Sequence, residues 1–476
     1  MLVWFVILYL IIAIAIGLYA ATKVHNARDY VVAGRALPLY MVTATVFATW
    51  FGSETVLGTS ATFLQSGLRG IVADPFGASL CLILAGLFFA RKLYRMNLLT
   101  IGDYYRLRYS RTVEMLTGMA IVISYLGWVS AQITAIGLVF SLISNNHIST
   151  HDGMLLGSSI VLIYTLFGGM WSIALHDFLQ MNIILIGMLY IGWVISHDAG
   201  GAGHVIAHAQ AAGKFAFWPQ ANAADILAFV GAWVTMMLGS IPQQDVFQRI
   251  MSAKNERVAI QGSVLGGVMY FLFAFIPIFL AYSATLIDPG MVNALLGNHP
   301  QHILPQLILH HTPVFAQIMF FGALLSSILS TASATLLAPS ITFTENVIKP
   351  FIGHWGERHL LLVMRAVVVI FAGLVALYAL SSNASIFNMV ENAYKITLGT
   401  AFVPLASGLY WKRATNQGAL LSMLAGASSW LWLEIAHPDG LWPPQLFGLL
   451  MAIAGMVTGS LLPTLLPGNH RAAWRD

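Results

Sequence analysis

The stretch ATWFGSET (residues 48–55) places small, polar and ionisable residues in the middle of the apolar segment 39–67. A membrane span takes about 20 mostly apolar residues, so this segment is long enough to cross a bilayer. A charged residue at the bilayer centre costs at least about 2.5 to 3.5 kcal/mol, so Glu54 must face a cavity or a partner. The stretch therefore predicts an interrupted helix. A protonated or paired structural carboxylate is the alternative interpretation of Glu54.

The rest of the chain is also apolar, with 58% of its 476 residues hydrophobic and 8% charged. Soluble domains carry roughly 25% charged residues, so a soluble fold is excluded. Unpaired backbone groups in lipid cost several kcal/mol each, which leaves helices as the predicted structure, because the segments are too long for barrel strands. An all-α integral membrane protein with about 13 transmembrane helices is predicted. The apolar segments are 2–21, 39–67, 70–90, 112–143, 153–174, 178–196, 223–247, 259–285, 313–346, 360–380, 386–410, 418–436 and 444–466.

Lysine and arginine are concentrated in alternate loops between these segments. The other loops hold little beyond Arg69 and Lys214. The positive-inside rule then predicts a cytoplasmic C-terminus and an outer N-terminus. We expect a multi-pass protein of the cell membrane, here the bacterial inner membrane. The basic set comprises Lys23, Arg28, Arg35, Arg91, Lys92, Arg95, Arg106, Arg108, Arg111, Arg249, Lys254, Arg257, Lys349, Arg358, Lys412, Arg413, Arg471 and Arg475.

A second interruption, GSIPQQD (239–245), lies at the end of segment 223–247. Pro242 lacks an amide donor and clashes with the preceding helical turn, so the helix should unwind nearby. Two broken helices five spans apart are typical of inverted-repeat transporters, in which unwound carbonyls and half-helix ends bind ion and solute. An ordinary kinked helix is the alternative for this second interruption.

A stripe of hydroxyl groups runs along the segment 313–346, where Ser327, Ser330, Thr331 and Thr335 recur at helical spacing. Sodium is a small hard cation that prefers oxygen ligands, so hydroxyls beside unwound carbonyls would suit it. Hydroxyl stripes also hold membrane helices together, at about 0.6 to 2 kcal/mol per bond. Both interpretations are open on residue pattern alone.

Six stretches, in order along nearly the whole chain, resemble the sodium:solute symporter family and, within it, the high-affinity choline transporter branch. They are ATWFGSETVLGTSATF (48–63), DPFGASLCLILAGLFFARK (74–92), IYTLFGGMWSIALHDFLQ (163–180), GSIPQQDVFQRIMS (239–252), HTPVFAQIMFFGALLSSILSTASATLL (311–337) and GLYWKRATNQGA (408–419).

The resemblance implies a LeuT-type inverted-repeat core of ten helices over residues 39–410. Residues 1–38 would add one helix and a loop, and residues 411–476 would add two helices and a short tail. It also implies a sodium ion between the first and eighth core helices. Its ligands would be the carbonyls of Ala48, Phe51 and Ser327 and the hydroxyls of Ser330 and Thr331. The proposed site therefore requires the first break to lie against the hydroxyl stripe.

The resemblance also bears on the solute. Members of the choline branch hold a quaternary ammonium within aromatic rings by cation–π attraction, and Trp50 and Trp128 occupy two of those positions. Ala78 and Gln243 stand where that branch has rings, so packing alone is an alternative role for the tryptophans.

Other candidate solute contacts are polar. Gln243 offers an amide, Glu54 a negative charge and Thr55 a hydroxyl beside it. These groups suit a small polar or zwitterionic solute as well as they suit choline.

The predicted function is a sodium-coupled secondary active symporter that imports a small polar or zwitterionic organic solute by alternating access. A choline-like quaternary-amine symporter and a solute sensor or transceptor of the same fold are the alternatives. Sodium is the expected coupling ion, with no other cofactor, and the lipid bilayer is the expected surrounding. No motif for catalysis, nucleic-acid binding or an obligate protein partner is evident, and the lone Cys81 cannot form an intrachain disulfide.

Overall fold

The computed structural model describes residues 2–352, 356–438 and 440–463. The basic tail residues Arg471 and Arg475, used above to orient the chain, lie outside this range. The described residues form helices and one isolated bridge between Leu37 and Ala253. Eight of these helices are long and apolar enough to cross a membrane, or nine if one bent pair forms a single span. The all-α membrane architecture is therefore confirmed.

The helices follow the predicted segments closely. In chain order they are α1 Leu2–Ala21, α2 Ala27–Val32, α3 Leu39–Trp50, α4 Ser60–Gly70, α5 Val72–Arg95, α6 Ile101–Arg108, α7 Arg111–Ile143, α8 Thr150–Asp198, α9 Ala202–Ala211, α10 Ala223–Gly239, α11 Gln244–Ser252, α12 Glu256–Ile287, α13 Pro289–Leu295, α14 Ile303–His311, α15 Val314–Phe351, α16 Glu357–Ser381, α17 Ile386–Thr397, α18 Val403–Tyr410, α19 Asn416–Ala436 and α20 Pro444–Leu461.

Segment 39–67 is broken where the polar stretch predicts. Helix α3 ends at Trp50, and Phe51 leaves helical geometry with φ −84° and ψ 74°. A wide helical turn over Glu54–Thr59 then leads into α4. The carbonyls that precede the break consequently lack the partners that a continuous helix would give them.

Segment 223–247 is broken as well, between α10 and α11, which meet at an angle of 44°. Gly239 is the last residue of α10, and Pro242 lies in the turn before α11. The core therefore contains two interrupted helices, as predicted for an inverted-repeat transporter.

The boundary between predicted segments 153–174 and 178–196 is wrong. Residues Thr150–Asp198 form α8, whose helical geometry breaks only at Gly169, with φ 52° and ψ −144°. A side-chain carbon at Gly169 would stand 2.5 Å from the ring of Tyr30, so only glycine fits there. Asp177, which the predicted boundary left between two helices, instead lies inside a helix.

Loops that carry the basic residues pack together on one face of the bundle. Leu37 donates its amide to the Ser252 carbonyl at 3.0 Å, and Arg91 and Arg95 both pair with Glu256, at 2.8 and 2.9 Å. On the opposite face the Lys214 ammonium caps the end of the first core helix by donating to the Leu64 carbonyl at 2.6 Å. These contacts tie the connections that carry the basic residues to neighbouring helices.

Helix α15 lies at the centre of the bundle. Every residue from Phe320 to Thr342 is buried, the hydroxyl stripe included. It packs against α3, α7 and α8, so the stripe faces other helices instead of lipid.

Candidate functional site

The first break lies against the hydroxyl stripe of α15. The Thr331 hydroxyl is 3.5 Å from the Ala48 carbonyl oxygen, to which it donates a hydrogen bond. Ala48, Phe51, Ser327 and Ser330 are fully buried around this contact. The Ser327 hydroxyl donates to Leu324 of its own helix at 3.1 Å. The structure therefore brings an interrupted backbone and a hydroxyl-bearing helix face together.

A buried carboxylate adjoins this contact. Asp177 of α8 accepts hydrogen bonds from the hydroxyls of Ser330 and Thr45, one on each carboxylate oxygen. It connects the stripe on α15 to the first half of the broken helix. The sequence did not reveal it, because the predicted boundary placed Asp177 in a connection; its signal is a single acidic residue in the apolar run 170–195.

Glu54 is buried immediately after the break, at 3% exposure. It accepts hydrogen bonds from the Gln132 side-chain amide at 2.6 Å and from the Trp128 indole at 3.3 Å. Gln132 also accepts from the Ser53 amide at 3.0 Å, so it holds both the carboxylate and the new helix start.

Gly52 separates Glu54 from Thr331 at this point. A side-chain carbon on Gly52 would lie 2.5 Å from a Glu54 carboxylate oxygen and 2.7 Å from the Thr331 hydroxyl. The carboxylate and the hydroxyl therefore border the same small space, which only the missing side chain of glycine leaves open.

Three aromatic rings meet beside the break. The ring centroids of Trp50 and Trp128 are 5.4 Å apart, those of Trp128 and Tyr394 5.4 Å, and those of Trp50 and Tyr394 5.9 Å. All three side chains are at most 1% exposed. Tyr394 was not expected, because it comes from α17, far away in sequence, and has no distinguishing local motif.

Two other predicted contacts are engaged within the protein. The Gln243 amide donates to Ser124 at 2.9 Å and to Thr397 at 3.3 Å. The Thr55 hydroxyl donates to the Trp50 carbonyl at 3.3 Å and contacts the Tyr270 hydroxyl at 2.9 Å. Thr55 thus supports Trp50 of the ring cluster directly, whereas Gln243 joins α7 to α17.

Asp74 lies beyond Thr55 and closes this network. It accepts hydrogen bonds from Tyr270 and, at 2.7 Å, from Thr59. The Asp74 side chain thus binds hydroxyl groups of neighbouring segments, at a position where its own backbone is extended.

The model of the sodium:solute symporter family matches residues 30–426. The chain belongs to the sodium:solute symporter family. Among its relatives are the human high affinity choline transporter 1, 25% identical over 88% of this chain and 74% of the relative, and the osmoregulated proline transporter OpuE of Bacillus subtilis, 24% identical over 98% and 95%.

A solved structure gives the same fold for this symporter. The structure titled as the substrate-bound outward-open state of a sodium-coupled sialic acid symporter with a novel sodium site matches it with a TM-score of 0.82. That match has 19% identity and covers 98% of both chains. The predicted LeuT-type fold is confirmed, and the family and its relatives are transporters and not enzymes.

Proposed function

We propose that this symporter imports, together with sodium, a small organic solute that carries a positively charged head, either a zwitterion or an organic cation. The observation that carries the proposal is the triangle of Trp50, Trp128 and Tyr394, because the Trp128 ring also donates to Glu54. A cation over an aromatic face gains about 0.5 to 2 kcal/mol, and the carboxylate adds a full opposite charge. Choline and proline, for which two relatives are named, both carry a cationic nitrogen.

Sodium is proposed to bind where the first break faces α15. The carbonyls of Ala48, Phe51 and Ser327 and the hydroxyls of Ser330 and Thr331 would be its ligands. Support comes from the 3.5 Å approach of Thr331 to the Ala48 carbonyl and from the burial of the whole set. Asp177, bonded to Ser330, adds the negative charge that makes a buried cation favourable.

Gln243 and Thr55 are proposed to border the solute. The Gln243 amide donates to Ser124 and Thr397, and a solute carboxylate could compete for these hydrogen bonds. The Thr55 hydroxyl donates to the carbonyl of Trp50 and so helps to hold the Trp50 ring in place. A zwitterion would thereby find a donor for its anion and rings for its cation.

The transport core is proposed to comprise residues 39–410, with peripheral helices in 1–38 and 411–476. The basic face is proposed to be cytoplasmic, with the N-terminus outside, in the bacterial inner membrane. Each positive charge that enters gains about 2.3 kcal/mol per 100 mV of membrane potential, so a negative interior would drive accumulation.

Reconstitution tests the coupling. Purified symporter in proteoliposomes should accumulate radiolabelled proline or choline when an inward sodium gradient is imposed, and the accumulation should collapse when potassium replaces sodium. Uptake that ignores the sodium gradient would refute the proposal.

A thermal-shift panel tests the solute class. Proline, choline, a neutral amide analogue and a simple carboxylate are compared with and without sodium. Stabilisation by a cationic or zwitterionic compound that requires sodium is expected. Stabilisation by the carboxylate alone would contradict the role proposed for the rings and Glu54.

A further inference from the structure

Helix α11 carries an unusual set of buried polar groups that the proposed function does not use. Within the described residues, four of its side-chain atoms are buried without a hydrogen-bond partner. These atoms are Gln244 Nε2, Asp245 Oδ2, Gln248 Oε1 and Arg249 Nε. Buried polar groups normally have partners, so this helix is arranged for contacts that it does not make in this conformation.

Arg249 is the most conspicuous member, at 1% exposure. Its guanidinium donates to the Asp245 backbone carbonyl at 3.1 Å and to the Thr49 hydroxyl at 2.7 Å. No carboxylate of the described residues lies within 4.0 Å of it as an ion-pair partner. A buried charge held only by neutral groups is destabilising, so Arg249 is free of the partner that its burial requires.

Two carboxylates are connected to this guanidinium: Asp245, whose backbone carbonyl it binds, and Asp177, which it approaches through α3. Asp177 accepts from Thr45, which lies one helical turn from the Thr49 that holds Arg249. Asp245 lies one turn before Arg249 on α11 and has Tyr125 on one of its oxygens. Arg249 thus stands between the carboxylate beside the proposed sodium ligands and a second carboxylate of its own helix.

Sodium would balance the charges around Arg249. When Asp177 and Asp245 are both ionised they carry two negative charges, and Arg249 supplies one positive charge. A sodium ion at the ligands next to Asp177 would supply the second. When sodium leaves, Asp177 becomes an uncompensated buried charge unless Arg249 moves toward it.

We propose that Arg249 is a tethered counter-cation that takes the place of sodium beside Asp177 after the ion is released, so that the empty carrier can return. The proposal rests on the sodium site proposed above. Arginine suits this role, because its guanidinium stays charged and can bind a carboxylate with two parallel hydrogen bonds. Helix α11 leads to Lys254 and to Arg257 at the start of α12, on the face proposed as cytoplasmic, where sodium would leave.

The experiment separates the return of the empty carrier from the movement of the loaded one. Net uptake into proteoliposomes requires the empty carrier to return, whereas solute exchange with sodium and solute on both sides does not. Arg249→Gln should lower net uptake at least about tenfold and leave exchange within about twofold of wild type, and Arg249→Lys should restore part of net uptake. The control is Arg91→Gln, which removes an exposed charge of the same face and should change neither rate.

Equal loss of exchange and net uptake in Arg249→Gln would overturn the proposal, and so would no change in either. A second variant keeps the idea testable if this one does not fold. Asp245→Asn preserves shape and leaves Asp177 as the one carboxylate for Arg249, so the sodium concentration for half-maximal uptake should rise several-fold. An unchanged sodium requirement would count against it. Wild-type uptake that is independent of sodium would instead refute the proposed function itself.

Discussion

The two broken helices differ in the charge that they bring into the membrane. The first break, at Phe51 and Gly52, has Glu54 on one side and Asp177 close by, without a basic side chain among its hydrogen-bond partners. The second break is followed by α11, which carries an acid and a base one turn apart, Asp245 and Arg249. The carboxylates at the first break thus have no cation of their own segment, whereas the segment after the second break carries one, Arg249.

This difference assigns different tasks to two halves of a pseudo-symmetric fold. A buried carboxylate without a fixed cation favours a mobile one, such as sodium or the positive head of a solute. A fixed guanidinium in the other half can compensate charge when the mobile ions are absent. Binding is therefore expected to depend mainly on the first break, and the return step on the second.

Removing the two hydroxyls of the proposed sodium site should cause the largest effect. Ser330→Ala/Thr331→Ala is expected to lower sodium-driven uptake at least about a hundredfold, because bonds to a charged group are worth about 1.5 to 3 kcal/mol each. Uptake is measured in proteoliposomes at fixed sodium. Ser333→Ala is the matched control, since that hydroxyl donates to the Ser330 carbonyl within its own helix at 3.0 Å. Full uptake by the double variant would show that the site at the first break does not bind the coupling ion.

Filling the space at the first break should come next in size. Gly52→Ala would press on Glu54 and Thr331, and overpacking costs about 1 to 3 kcal/mol, so sodium-driven uptake should fall about tenfold or more. Gly373→Ala is the control, because no atom lies within 4 Å of the added carbon in that membrane helix. Equal uptake by the two variants would mean that the close approach at Gly52 has no functional consequence.

Neutralising Glu54 should weaken the binding of the solute more than it lowers the stability of the fold. Glu54→Gln keeps the shape but loses a charged hydrogen-bond acceptor, so the dissociation constant of a cationic or zwitterionic solute should rise about tenfold. Binding is measured by isothermal titration in saturating sodium. Glu434→Gln is the control, because it removes an acid that lies outside the proposed core and pairs with Lys395. This variant should bind the solute normally. Unchanged affinity for every cationic solute would restore the purely structural interpretation of Glu54.

Truncating the third ring should give the smallest change. Tyr394→Ala is expected to weaken the binding of a cationic solute by about 3- to 10-fold, which lies within the roughly 0.5 to 2 kcal/mol range of one cation–π contact. Tyr394→Phe is the control, because it keeps the ring and removes a hydroxyl that has no hydrogen-bond partner. If Phe weakens binding as much as Ala, the hydroxyl and not the ring contacts the solute.

Local patterns in the sequence predicted much of this site, and distant contacts accounted for the rest. The two breaks and the hydroxyl stripe could be recognised because polar residues at the depth of the bilayer centre are energetically costly unless they have partners. Asp177 was overlooked because a helix end was placed at residue 174, and Tyr394 because one more tyrosine in an apolar helix carries no signal. The ion pair between Lys395 and Glu434 at 3.4 Å, which joins α17 to α19, is another contact that no local pattern encodes.

By itself the sequence determined that the chain is a bundle of membrane helices with two interruptions, because apolar length and misplaced polar residues are properties of a single segment. Only the tertiary structure decided which groups meet at those interruptions. Asp177, Tyr394 and Arg249 reach them from α8, α17 and α11, and their positions depend on helix packing that no local pattern encodes.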